Sequence, residues 1–229
     1  MKSVWQWSLV ACCSVLLTGA SAAQDTRDAD AMSDLQIIKA RTVELLAGGT
    51  GSGSYRTQAL TARDERVERI LTAPFQRLAW PEPEGEQDFN QHLDRLLGQT
   101  RALAEGWASD GSRHHGDERL LRRALEGLDN VLEHYNADTP RPGNWYYWLI
   151  PIPDKLGAIG LLLDEQLPAP LRGRLEASLT HQLRTMELSG ANAAWEARNH
   201  AYLALLQEDP ARLARAARRI FETVRYSAD

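Results

Sequence analysis

No cysteine follows Cys13, and the only two in the chain, Cys12 and Cys13, are neighbours near the N-terminus. Disulfide frameworks, thiolate metal sites and thiol nucleophiles are therefore excluded downstream, and an apolar core must hold the fold together. A basic balance is also lacking: the formal charge is -5 at pH 7, one unit more negative without Lys2. That argues against a general nucleic-acid binder, although a local basic patch could still serve an anionic substrate. No apolar run favours a membrane span, since the stretch from Val4 to Leu17, broken only at Gln6, Trp7, Ser8 and Ser14, is too short and too rich in small residues at its end. No convincing period-two alternation appears, which removes the strand signal. The glycine-rich stretch from Gly48 to Ser54 has no preceding strand and no following Lys-Ser/Thr pair, so it reads as a structural loop and not as a phosphate cradle. His114-His115 has no partner at a zinc spacing and reads as a pair of solvated loop histidines. No Ser/His/Asp order can be assigned.

What is present begins with Met1-Lys2, a short apolar centre and the small-residue end Ala20-Ser21-Ala22-Ala23. This pattern predicts a secretory signal peptide over 1–22, cut after Ala22 or Ala23, and hence a secreted or periplasmic protein. Leu9-Val10-Ala11-Cys12 also fits a lipoprotein box, but it would leave a signal of only eleven residues. A polar, flexible lead-in is expected over 23–33. Ser33-Asp34 then reads as the cap of a helix carrying Leu35, Ile38, Val43 and Leu46. About 207 residues remain after the signal, enough for one domain with a substantial core. Apolar spacings of three and four predict further helices near 60–73, 87–107, 115–136, 144–164, 168–186, 191–207 and 210–224. Breakers such as Thr139-Pro140-Arg141-Pro142-Gly143, Leu167-Pro168 and Asp209-Pro210 separate them. The expected class is all-α, built of helical hairpins.

Two stretches stand out as candidate chemistry. In Asn144-Trp145-Tyr146-Tyr147-Trp148 four consecutive aromatic residues point in four directions on a helix, so they cannot all be core. Their flat faces suit the apolar faces of sugar rings, with a polar edge to spare; the alternative is packing, with Trp145 and Trp148 inward. The second stretch, Ser189-Gly190-Ala191-Asn192-Ala193-Ala194-Trp195, is a small-residue turn that opens a helix and sets the Asn192 amide at its mouth. His200, two turns later, shares a face with Asn192 or is a satisfied polar residue at the core's edge. Arg212, Arg215, Arg218 and Arg219 put positive charge on one face of the last helix. That face is either a solvated surface or a stripe for carboxylates and sulfates.

The run from Asn144 to Pro153, the Ser189–Asn192 turn and the helix end from Leu206 to Leu213 together resemble the N-terminal helical domain of polysaccharide lyase family 8, the hyaluronate, chondroitin and xanthan lyases. The resemblance covers most of the chain after the signal peptide, over 34–229. It implies an incomplete (α/α) toroid of helical hairpins with the sugar chain in a cleft. Asn192 would be the catalytic asparagine that hydrogen-bonds the uronate carboxylate, and Asn144, Trp145 and Tyr146 would belong to the substrate-binding patch. Tyr146 stands where the family commonly has a second tryptophan, and Pro151 where it has a glycine, which alters the expected bend of that helix. In the family a tyrosine and a histidine act as base and acid after the asparagine motif, and no residue of this sequence matches them. The implied function is the N-terminal part of a lyase cleaving uronate-containing polysaccharide by β-elimination, without activity by itself. The alternatives are a non-catalytic carbohydrate-binding or vestigial module, and a helical scaffold with no sugar affinity. The implied partners are an anionic polysaccharide and a downstream lyase segment; neither a metal nor another cofactor is implied.

Overall fold

The chain is represented by a computed structural model that describes residues 30–49, 53–78 and 86–223. The expected signal peptide and residues 23–29 of the lead-in lie outside them. The helices are α1 (30–46), α2 (Ser54–Thr72), α3 (Glu86–Ala108), α4 (Glu118–His134), α5 (Trp145–Leu149), α6 (Pro151–Leu162), α7 (Ala169–Gln182), α8 (Ala191–Gln207) and α9 (Pro210–Thr223). No strand occurs among the described residues.

The helices fall into two rows. α3, α6 and α8 lie side by side in one, while α4 and α7 are neighbours in the other, and each hairpin α3/α4, α6/α7 and α8/α9 crosses between the rows. The middle helix of the first row is covered on every side, which explains its composition: Ile152, Pro153, Leu156, Ala158, Ile159, Leu161 and Leu162 are all buried. α4, in the other row, keeps a one-sided stripe through Leu120, Leu121, Leu128, Val131 and Leu132. Two glycines set the spacing within the first row. A Cβ at Gly157 would lie 2.7 Å from the Tyr202 Cβ, and one at Gly160 would lie 3.1 Å from Leu206 Cδ1, both on α8. α6 and α8 can therefore touch almost backbone to backbone.

The element ends differ from the periodicity reading where side chains outside the helix intervene. Ser33 and Asp34 lie inside α1 instead of capping it, because the helix is already formed at residue 30. α4 starts at Glu118, with the Asp117 carboxylate accepting from the Arg119 N–H at 2.8 Å. The segment 144–164 is broken at Ile150 (φ -116°, ψ -78°). Pro151 and Pro153 lack the N–H groups that would serve the carbonyls of Tyr147 and Leu149 in a continuous helix. The buried Asn199 amide of α8 supplies donors instead, at 3.0 Å to both the Leu149 and the Ile150 carbonyl. One expectation is corrected: His114 is buried, because the 109–117 loop folds onto α2, where Ser112 donates to Asp64 at 2.6 Å and accepts from the His114 N–H. His115 remains exposed.

Candidate functional site

α5 is only a turn and a half long, and its placement depends on one carbonyl. The Pro142 carbonyl accepts from the Trp148 indole N–H at 2.8 Å and from the Asn90 amide at 3.0 Å. Trp148 is fully buried and stacks on Tyr135 with ring centroids 5.3 Å apart and planes 8° off parallel. The Tyr135 hydroxyl donates back to the Trp148 carbonyl at 2.8 Å. With its last turn pinned in this way, α5 projects its first turn outward. Trp145 is 51% exposed, Tyr146 is half-buried, and Asn144 caps the helix by accepting from the Tyr146 N–H at 2.9 Å. The packing alternative, with both tryptophans inward, holds for Trp148 and not for Trp145. Asn144 Oδ1 is engaged in the cap, while its Nδ2 makes no hydrogen bond to another described residue and is open to a ligand.

The start of α8 meets this patch. Gly190 precedes the helix with φ 61°, a left-handed conformation suited to glycine, and makes no side-chain cap. The Ala193 N–H donates to the Gly190 carbonyl at 3.2 Å, and the Ala191 and Asn192 N–H groups are left to solvent or a ligand, with the helix dipole behind them. Asn192 is half-buried at the second helical position, and its amide makes no hydrogen bond to another described residue. Trp195, one turn on and 39% exposed, packs edge-to-face on Tyr146 with centroids 6.5 Å apart. This contact joins the two sequence motifs. Trp195 escaped the sequence reading as a site residue, although its three-residue spacing from Asn192, which puts both on one face, was a usable signal.

Beneath the patch runs a charged ladder that no linear motif announces. Asp154 of α6 pairs with Arg198 of α8 at 2.8 Å and with Arg101 of α3 at 3.2 Å, and Arg101 also holds Glu105 at 2.7 Å. Tyr202 lies beside it, its phenol pushed up by burial first and by the Asp154 charge second. The turn before α8 is held from within: the buried Glu196 carboxylate accepts from the backbone N–H groups of Leu188, at 2.9 Å, and Glu187. Burial raises the Glu196 pKa despite those bonds.

His200 is buried and its Nε2 lies 3.1 Å from the Thr185 carbonyl, which fits a satisfied residue at the core's edge. Burial lowers its pKa, opposed by the Thr185 bond and assisted by Arg212 and Arg215. A lowered pKa means that the folded chain refuses a proton that the unfolded chain accepts. His200 therefore stabilises above the unfolded value of about 6.5, and that stability is lost as pH falls through the folded value. The wild-type thermal midpoint is expected to drop between pH 7.5 and pH 5.5 by more than that of His200→Gln, as differential scanning fluorimetry of the two would show. Equal drops would contradict it.

Among the described residues no group of three or more histidine, cysteine, aspartate or glutamate side chains could hold a metal ion, and no helix is long and apolar enough to cross a membrane.

The two-row hairpin architecture is that of an α/α toroid. Two solved structures share it at a TM-score of 0.71: a Paenibacillus xanthan lyase, 22% identical over 86% of this chain and 20% of its own, and a Streptomyces coelicolor A3 chondroitin AC lyase in complex with chondroitin sulphate, 24% identical over 85% of this chain and 28% of its own. The profile of the N-terminal α-helical domain of polysaccharide lyase family 8 matches residues 54–229, and the chain belongs to that family. Curated relatives include a hyaluronate lyase of Thermasporomyces composti, 27% identical over 83% of this chain, and a xanthan lyase of Bacillus sp. (strain GL1), 26% identical over 56% of it. The chain spans only 25% and 14% of those two proteins.

Proposed function

We propose that this chain is the substrate-holding N-terminal part of an exported polysaccharide lyase that cleaves uronate-containing chains by β-elimination. The observation that carries the reading is the Tyr146–Trp195 contact, which sets Trp145, Tyr146 and Asn192 at one end of the first helical row. Trp145 and Tyr146 offer faces for sugar rings. In β-elimination a base removes the proton from the carbon beside the carboxylate, the electron pair moves onto the carboxylate oxygens, and the intermediate collapses by expelling the glycosidic oxygen. The Asn192 amide, neutral and otherwise unengaged, is suited to donate to those oxygens as charge builds on them. The amides at the start of α8 add further donors.

A base and an acid are still required. His200 is buried against the Thr185 carbonyl, and Tyr202 sits against Gly157 with its phenol held protonated by burial. Neither is placed to exchange protons with a sugar at Asn192, so the proton-transfer groups belong to a further segment, and the chain by itself binds without turnover. The same commitment of His200 and Tyr202 favours, as a second reading, a sugar-binding module that never turns over.

Calorimetry with hyaluronan and chondroitin sulfate oligosaccharides, alongside ultraviolet absorbance for unsaturated uronate, tests the proposal. Binding without product is expected. Trp145→Ala should weaken binding about tenfold, on the order of 1.4 kcal/mol, and Asn192→Ala should weaken it for carboxylate-bearing sugars. Release of unsaturated product by the chain alone would overturn the divided site. No binding by the wild type would leave only a helical scaffold. Sequencing the source DNA past the codon for Asp229 separates the two binding readings, since a coding segment with a histidine and a tyrosine there supports the lyase.

A further inference from the structure

Beside the turn that carries Asn192 lies a second feature, on α9. α9 returns antiparallel to α8, so its C-terminal half comes back to the end of the bundle where α8 begins. Arg219 marks the meeting point, with Nη2 donating to the Leu188 carbonyl at 2.8 Å. Leu188 is four residues before Asn192, a span of at most about 14 Å along the chain. Around Arg219 a hollow of about 300 Å³ is lined by Met186, Arg215, Arg218 and Glu222 as well as Arg219 itself.

The charges in this hollow do not balance. Arg219 has Glu222 at 3.6 Å and the Leu188 carbonyl. Arg215 and Arg218, exposed and one turn apart on the same face, form no ion pair and no hydrogen bond with another described residue. Glu222 and Glu196 thus both act on Arg219, while Arg215 and Arg218 have no ion-pair partner among the described residues. Placing like charges one turn apart destabilises an isolated helix. Arg212, by contrast, points elsewhere, with its Nε 3.8 Å from Asp209. The stripe seen in the sequence is therefore two things: a largely buried beginning at Arg212, beside Asp209, and an exposed pair, Arg215 and Arg218, next to the anchored Arg219.

We propose that the hollow formed by Met186, Arg215, Arg218 and Arg219 is a subsite for an anionic group, sulfate or carboxylate, on the polysaccharide that lies at Trp145, Tyr146 and Asn192. The inference rests on the sugar-binding reading above. Arg219, anchored to the Leu188 carbonyl, is the preorganised member, while Arg215 and Arg218 can close on the anion with forked hydrogen bonds. The Met186 side chain supplies an apolar wall for the ring that bears it.

The test is binding of fluorescently labelled hexasaccharides of chondroitin sulfate and of hyaluronan to the whole chain across a salt series. The variants are Arg215→Gln/Arg218→Gln and Trp145→Ala. Both arginines are exposed and have no ion-pair or hydrogen-bond partner among the described residues, so the double variant should keep the wild-type thermal midpoint. It is expected to bind at least tenfold more weakly at low salt and to lose much of the salt dependence, because surface charge attraction is screened by ions. Loss confined to the sulfated probe assigns the hollow to sulfate, and equal loss on both assigns it to carboxylate. Arg215→Lys/Arg218→Lys should restore part of the low-salt affinity. If the glutamine variant binds both probes like the wild type while Trp145→Ala does not, the subsite is refuted and the sugar cleft stands. If the wild type binds neither probe, the cleft and the subsite fall together.

Discussion

Replacing Trp148 by alanine is expected to remove about 3–5 kcal/mol of stability, against only a few tenths for Trp145→Ala three residues earlier. The contrast follows from where each ring sits. Trp148 is fully buried, stacks on Tyr135 and donates to the Pro142 carbonyl, so its truncation opens a cavity and frees the loop that orients α5. Domains of this size are stable by only about 5–15 kcal/mol, so the loss is a large share of the total. Trp145 is 51% exposed and its removal leaves little void. Urea denaturation of both variants, with sugar binding measured beside it, checks the division of labour. Trp148→Ala should shift the midpoint strongly, and Trp145→Ala should lose affinity at near-normal stability. Similar midpoints for the two would contradict the assignment of Trp148 inward and Trp145 outward.

The second large effect is expected at Gly157. A Cβ there would lie 2.7 Å from Tyr202 Cβ and 2.9 Å from Tyr202 Cδ2. The Tyr202 Cβ is fixed to the α8 backbone and cannot swing away, so Gly157→Leu must push α6 and α8 apart. Overpacking of this kind costs about 1–3 kcal/mol, occasionally more. The thermal midpoint should fall by several degrees, at about 2–4 °C per kcal/mol for a chain of this size. Sugar affinity should fall with it, since the Tyr146–Trp195 contact spans the same two hairpins. Gly173 provides the control. A Cβ there meets nothing within 4 Å, so Gly173→Ala in mid-helix should be neutral or stabilising by about 1 kcal/mol. Gly157→Leu melting with the wild type would show that the helices are not in close contact.

The helices themselves were legible because apolar spacing and breakers are local signals. α8 and α9 begin at Ala191 and Pro210 as the small-residue turn and Asp209-Pro210 suggest. The break at Ile150 was only half legible. Pro151 and Pro153 announce lost donors, but nothing in the sequence tells that Asn199, some fifty residues later, donates to the Leu149 and Ile150 carbonyls. His114 was misread for the same reason: its burial depends on Asp64 gripping Ser112 across 48 positions of chain.

The candidate site divides in a similar way. Asn144, Trp145, Tyr146 and Asn192 were picked out as residue types in a suggestive order, and the turn at Gly190 needs only its own left-handed φ. The sequence alone determined the all-helical class, the hairpin order and the two stretches with unusual chemistry, since composition and periodicity act over a few residues. Only the tertiary structure decided which tryptophan faces outward, that Trp195 closes on Tyr146, that Asp154 bridges Arg101 and Arg198, and which arginines of α9 stay unpaired. Those are contacts between helices, set by the close approach that Gly157 and Gly160 allow between α6 and its neighbours, and a spacing of that kind leaves no local periodic trace in the chain.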